Sequence, residues 1–303
     1  GTVHLALAPE LALSNPMFAI NIALLLAAIL PDLILRRRGY IAVILGSIAL
    51  IMASVLHVIM MVAAAGIIAL LLYWPVSLRR RTTYLLMAGT MVAIVVAYFA
   101  LRGNFNTANA FARQLISGES YRTKAIRRAV LDMPNDYPLL PLVGLGPGQF
   151  SSRAGLIGTG LYFGGPAYPR PLPFVPQGMS QAFRENTLDL WVEYAFLIAR
   201  GRGSGSTHQP FLSWLSVYTE WGILALAAIF GLVAYLLIRV RLVVHSYPQR
   251  ILAASFAIGL LLIFFLGLQE NYWEVPQAIL VGLMIIKVQY AVLMSKDERN
   301  KFI

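Results

Sequence analysis

The chain has 303 residues, of which 59% are hydrophobic and 12% charged, with a mean hydropathy of +0.72, and a soluble domain of that size requires far more polar surface. It has no cysteine, which excludes a disulfide framework, a thiol nucleophile and a thiolate metal site. The formal net charge of +11 does not point to nucleic acid, because most arginines and lysines cluster at the ends of apolar runs, where they act as membrane topology signals.

The first residues, GTVHLALAPE, carry neither an initiating Met nor a basic-then-apolar signal pattern, so the chain is expected to be a piece of a longer protein. Apolar runs long enough to span a bilayer follow in order, giving about seven helices. The first covers residues 17–35 and stops at Arg36, Arg37 and Arg38, a cationic block too costly to bury in lipid. Residues 40–74 are apolar but too long for one span, and they divide near residues 54–57 into two helices, the second of which meets Arg79, Arg80 and Arg81. A fourth span is expected over 83–101, a long fifth over 211–238, a sixth over 250–268 and a seventh over 275–294.

With seven spans in this order, the clusters Arg36–Arg38, Arg79–Arg81, Arg239/Arg241/Arg250 and Lys296/Arg299/Lys301 fall on one side. The positive-inside rule makes that side cytoplasmic. The short loop before the seventh span carries Glu270 and Glu274 and no base. The N-terminus and the segment 102–207 are then outside and the C-terminus inside. The expected protein is all-α and polytopic, with membrane helices over 1–101, a large extracytoplasmic loop over 102–207, and membrane helices with a cytoplasmic tail over 208–303.

A loop of that length is usually functional or disordered, and aromatics throughout argue for order. Residues 121–133, YRTKAIRRAVLDM, fit an amphipathic helix with Ala125, Ile126, Ala129 and Val130 apolar and Arg122, Lys124, Arg127 and Arg128 basic, suited to a bilayer surface. The Gly-rich cluster VGLGPGQF follows at 143–150 and a Pro-rich stretch at 165–178. A second helix is expected over 181–199, and the linker RGRGSGS returns the chain to the membrane at Thr207 and His208.

Three segments in order resemble the C-terminal part of the O-antigen ligase and Wzy-type O-antigen polymerase superfamily of bacterial envelope glycosyltransferases. ALSNPMFAINIALLLAAILP at 12–31 is similar to an Asn-Pro-containing start of a family span. The surface helix from Arg122 followed by PLVGLGPGQF is similar to the family's passage of arginine, amphipathic helix, proline and Gly-x-Gly-x-Gly-x-Phe. THQPFLSWLSVYTEWGILALAAIFG at 207–231 is similar to the family's "His-Asn … Glu-x-Gly … Gly" passage after the large periplasmic loop. Family members carry further spans upstream.

The resemblance implies a metal-independent and cofactor-free transfer of a glycan from an undecaprenyl-diphosphate carrier, at the outer face of the bacterial inner membrane, to a hydroxyl of a lipid, glycan or protein acceptor. A diphosphate leaving group needs cations for its developing charge, and an acceptor hydroxyl is helped by a base of near-neutral pKa. By resemblance His208 matches the family's essential histidine, with Gln209 where Asn is usual. From position alone it reads as an interfacial histidine. Arg122 matches the loop arginine assigned to the diphosphate, and an alternative register gives that role to Arg127; membrane anchoring by a basic face is the competing reading for both. Glu220, about three turns along the fifth span from His208, reads as an architectural partner of a buried arginine or backbone donors. Gly144, Gly146 and Gly148 read as a tight turn, since strand and Lys-Ser/Thr context for a nucleotide loop is lacking.

One position departs from the family pattern. His57 stands where members carry a diphosphate-binding arginine, and a histidine is neither permanently charged nor bidentate. A secondary transporter or a non-catalytic membrane scaffold are the readings from other classes, although only Glu220 comes near the midplane ionisable groups that transporters use.

Overall fold

A computed structural model describes residues 16–53, 55–73, 109, 112–114, 116–165, 168–170, 172–174, 178–199 and 210–300. The chain is a helical membrane protein: among the described residues five helices are long and apolar enough to cross a bilayer, namely Pro16–Arg36, Leu56–Tyr73, Ser213–Val243, Tyr247–Leu266 and Pro276–Ser295. The expected division near residues 54–57 is present, but the helix before it, Tyr40–Met52, has only 13 residues and falls short of the span length expected of it. The expected fourth span over 83–101 lies outside the described residues, as do His208 and the linker before it.

Two compact units divide the chain. One takes residues 1–107, 233–266 and 276–303, the other 108–232 and 267–275. In the first, Tyr247–Leu266 is the central helix and packs against Pro16–Arg36, Leu56–Tyr73 and the helix Pro276–Asn300. It is buried nearly all round, with Ile251, Phe256 and Leu262 fully enclosed. Ala253, Ala254, Ser255, Ala257 and Gly259 are buried along it, the small side chains that let membrane helices approach closely.

One polar chain crosses this apolar unit. Pro31 lies inside the helix Pro16–Arg36 and has no N–H to give to the carbonyl of Ala27, one turn earlier. Ser255 Oγ donates to that carbonyl, and Gln289 Nε2 donates to Ser255 Oγ at 2.7 Å. Three helices are thus joined at a carbonyl that a proline leaves open, as a lipid-embedded backbone requires. Asn21 Nδ2 makes a comparable link, donating to Met17 O at 2.8 Å and to Gln277 O at 2.9 Å.

The second unit is built largely from short helices around two buried apolar clusters. Ser120 Oγ caps the helix Tyr121–Arg127 by accepting from Thr123 N at 3.0 Å, an arrangement that satisfies an otherwise open first-turn donor. A π-helical turn, Arg128–Asp132, and a last turn, Met133–Asp136, continue it. Its buried stripe of Ala125, Ala129 and Met133 joins Leu140, Phe150, Phe211 and Leu215 in the core, where Phe150 and Phe211 meet edge to face at 6.0 Å. The helix expected over 181–199 is two helices, Gln181–Asn186 and Leu188–Ala199. They break at Thr187, whose φ of −123° departs from helical values.

Candidate functional site

The Gly-rich segment and Glu220 come together in the second unit. Inside Ser213–Val243 the backbone leaves helical geometry at Gly222, with φ +74° and ψ −178°. The carbonyls of the turn before that break turn outward to the Gly-rich loop: Leu145 N donates to Thr219 O at 2.9 Å and Gly146 N to Glu220 O at 3.0 Å. The Glu220 carboxylate then accepts from the next alternate amides, Gly148 N at 2.7 Å, Phe150 N at 3.3 Å and Ser152 N at 3.1 Å. A concave run of N–H donors of this kind is an anion cradle. Here its anion is the protein's own carboxylate.

That arrangement explains how a carboxylate only 3% exposed is tolerated at the end of an apolar helix. Charged groups are buried where hydrogen bonds replace their lost hydration. Gly144, Gly146 and Gly148 all have positive φ, the left-handed region that side chains disfavour. The Gly run is therefore a turn folded onto Glu220, with Glu220 filling the place a bound anion would take.

A second carboxylate holds the adjoining residue. Arg153 N donates to Glu274 Oε2, and Ser152 Oγ caps the helix that begins there by accepting from Gly155 N at 3.2 Å. Burial raises the Glu274 carboxyl from its ordinary 4.5 to about 7; Arg153 N opposes the shift and Glu220 adds to it. A carboxyl at that value can accept or give a proton near neutral pH. The side chain of Arg153 reaches Tyr162 Oη at 2.6 Å and Glu270 at 3.7 Å.

Arg122 belongs to the same surroundings. It is only 6% exposed, and its Nη2 donates to Gln269 O at 2.6 Å. Burial lowers its guanidinium to about 10, opposed by the charges of Glu270 and Tyr272; it stays cationic at neutral pH. Burial, with Glu270 close by, pushes the Tyr272 phenol above its ordinary range. Asn271 closes the cluster, with Nδ2 donating to Ser151 O at 2.8 Å and Ser216 Oγ donating to its Oδ1 at 3.3 Å.

The other cations of the Tyr121–Arg127 helix have different places. Lys124 and Arg127 are exposed. Arg128 makes a two-pronged ion pair with Asp189, both contacts at 2.6 Å, which draws the Asp189 carboxyl below its usual value. Of the residues expected to act, the structure gathers Glu220, Gly144, Gly146 and Gly148 at one point, sets Arg122 among Gln269, Glu270 and Tyr272, and leaves Arg127 on the surface. His57 is the second residue of Leu56–Tyr73, in the first unit.

Sequence reading did not single out Arg153, Asn271 or Tyr272, and it used Glu270 and Glu274 only as a charge signal for topology. Two acids in the short connection 267–275 between apolar helices were the available sign. Among the described residues no three His, Asp or Glu side chains are grouped as metal ligands. Comparison with family models, with curated proteins and with solved structures returned no match to this chain.

Proposed function

We propose that the protein is a membrane glycosyltransferase of the O-antigen ligase or polymerase type, moving a glycan from an undecaprenyl-diphosphate carrier to an acceptor hydroxyl at the outer face of the bacterial inner membrane. In this reading the chain has seven spans, an extracytoplasmic segment over 102–207 and a cytoplasmic C-terminus. The observation that carries it is the surface of the Tyr121–Arg127 helix: Lys124 and Arg127 are exposed beside exposed Ile126, while Ala125 is buried. A cationic and apolar surface together suit a lipid headgroup bearing a diphosphate.

His208 then takes the proton of the acceptor hydroxyl as that oxygen attacks the anomeric carbon. The bond from that carbon to the diphosphate oxygen breaks, and the configuration inverts in one displacement. The departing diphosphate takes the electron pair, and the exposed cations Arg127 and Lys124 stabilise its charge, while Arg122, expected from the sequence to share this role, is enclosed and holds the Gln269 carbonyl. Glu220 and the glycines at 144, 146 and 148 hold the loop that frames the site.

The test is transfer from a lipid-linked glycan in extracted membranes, with and without His208→Ala. General-base catalysis predicts a loss of roughly 10² to 10⁴ in turnover with donor binding largely kept. Full transfer by a folded His208→Ala protein removes histidine from the mechanism, and no transfer by the parent protein with any lipid-linked acceptor removes the proposed activity.

A further inference from the structure

The kink at Gly222 sets the depth of the loop that docks on it. Beyond the kink the helix continues through residue 243, with Arg239 and Arg241 marking its cytoplasmic border; about 20 residues at 1.5 Å each, the roughly 30 Å of a bilayer's hydrocarbon, counted back from residue 238 reach the turn that holds Gly222. Gly222 therefore stands at the outer hydrocarbon border, where half-exposed Trp221 suits the interfacial aromatic belt. Whatever packs against residues 219–222 lies at the same depth. That partner is the segment 139–146, since a Cβ at Gly222 would collide with Leu142 O and Val143 N.

The amide donors of this segment fit the condition that lipid imposes, because a non-spanning backbone at membrane depth must have its N–H groups satisfied by protein. Leu140 N donates to Tyr137 O, Leu142 N and Val143 N to Leu139 O, and Gly144 N to Leu140 O. Leu145 N and Gly146 N donate to the carbonyls of Thr219 and Glu220, and Gly148 N to the Glu220 carboxylate. The two remaining residues, Pro141 and Pro147, have no N–H to satisfy. From 140 to 148 every amide donor is used inside the protein. The side chains do the reverse: Leu139 is 69% exposed, Leu142 50% and Val143 49%, next to Trp221 and Ile223, which are also exposed.

We propose that residues 139–146 form a re-entrant wedge whose outer face, Leu139, Leu142 and Val143, is immersed in the hydrocarbon of the outer leaflet. The occupant of this face is lipid acyl chain, because residues 142 and 143 pack against Gly222, at the head of the exposed apolar residues Ile223, Leu224 and Leu232 of a membrane-spanning helix. This assignment takes the outer side from the topology proposed above and is independent of the glycosyltransferase activity.

The absence of cysteine makes it directly testable. Nitroxide labels would be placed at Leu142→Cys, Leu139→Cys, Leu232→Cys as a span control and Glu185→Cys as an aqueous control, each in the full chain in lipid nanodiscs. Collisions with oxygen and with a water-soluble nickel chelate would then be read. At 142 and 139 we expect oxygen collisions like those at 232 and nickel collisions several-fold below those at 185. Nickel access equal to that at 185 would overturn the wedge. Exclusion of both oxygen and nickel would also overturn it, because the face would then be covered by protein, such as a second copy, and not by lipid.

Discussion

Gly144 and Gly222 stand back to back: a Cβ on Gly144 would lie 2.3 Å from Trp221 N and one on Gly222 would lie 2.1 Å from Leu142 O. The backbone just before each glycine fills the space the other's side chain would need, and both residues have a φ of +74°. Alanine at either position meets backbone, which cannot move aside, as well as an unfavourable φ. Gly144→Ala and Gly222→Ala are each expected to lower stability by roughly 3 kcal/mol or more, at the diagnostic end of single-residue effects. The double variant should cost much less than the sum, because the first change already separates the two chains. Thermal unfolding in detergent measures both; additive losses would show that the two glycines act separately.

Glu220 is predicted to be structural in a specific way. Its carboxylate accepts three amides, and an amide side chain replaces one accepting oxygen with a donor that faces donors. Glu220→Gln should then cost about 1.5–3 kcal/mol, the range for charged hydrogen bonds, and Glu220→Ala more. The loop should loosen first. Faster hydrogen exchange at residues 148–152, with the first unit's helices unchanged, is the expected signature; uniform loss of protection would refute a local clamp.

The extent to which this arrangement is legible in the sequence follows from the range of the forces involved. Apolar runs ended by arginines mark the spans, since bilayer thickness and the cost of a charge in lipid act on consecutive residues. The break near residues 54–57 and the basic helix from Arg122 are readable for the same reason. The pairing of Glu220 with residues 148–152 is not, because about 70 residues separate the partners and nothing local to either specifies the other. Arg122 shows the limit most clearly. Its helical position places it on the stripe of Ala125 and Ala129, while its charge suggests the surface; the carbonyl of Gln269 and the acid Glu270, 147 or more residues away, decide for the interior. The helix over 181–199 breaks at Thr187, where Arg128 meets both Asn186 O and Asp189 across that point, a tertiary contact that the locally continuous pattern of the run does not reveal.

In the membrane unit the test concerns Ser255. Ser255→Ala leaves the carbonyl of Ala27, opened by Pro31, and the donor of Gln289 without their present partners. Hydrogen bonds between membrane helices average about 0.6 kcal/mol and reach about 1.7, so a loss of roughly 1 kcal/mol is expected. Pro31→Ala restores an N–H that can reach the Ala27 carbonyl within the helix. The cost of Ser255→Ala should therefore shrink in the Pro31→Ala background, and an unchanged cost in that double-mutant cycle would break the link between proline and serine.

Glu274 supplies a pH dependence with a definite sign. Its carboxyl is raised in the folded protein from 4.5 to about 7, so between those values the folded state holds a proton that the unfolded state has lost. Stability from this group is then complete below about pH 4.5, declines as pH rises towards 7, and is level above that. Glu274→Gln, which can still accept from Arg153 N, should flatten that decline and melt higher than the parent at pH 8. A Tm against pH curve from 4.5 to 8 compares the two proteins. Parallel curves would mean that Glu274 is ionised throughout.

The last expectation separates two arginines of one helix. Arg122 is enclosed beside Glu270, so Arg122→Ala leaves the Gln269 carbonyl without its donor and Glu270 with Arg153 alone as its nearby cation, a change that costs on the order of 1–3 kcal/mol. Arg127 is exposed, and its removal should move stability by about 0.5 kcal/mol at most. Donor binding should respond in the opposite order if the diphosphate rests at the surface of the helix. Arg127→Ala would weaken binding of undecaprenyl diphosphate about fivefold, from roughly 1 kcal/mol per cation at a lipid headgroup layer, and the loss should fade as salt is raised. Lys124→Ala should add a similar step. Measuring Tm and carrier affinity on the same samples distinguishes the cases, because an Arg122→Ala protein with the parent's Tm and no carrier binding would place the diphosphate on Arg122, whereas an Arg127→Ala protein with the parent's affinity at low salt would remove the exposed face of this helix from the donor site.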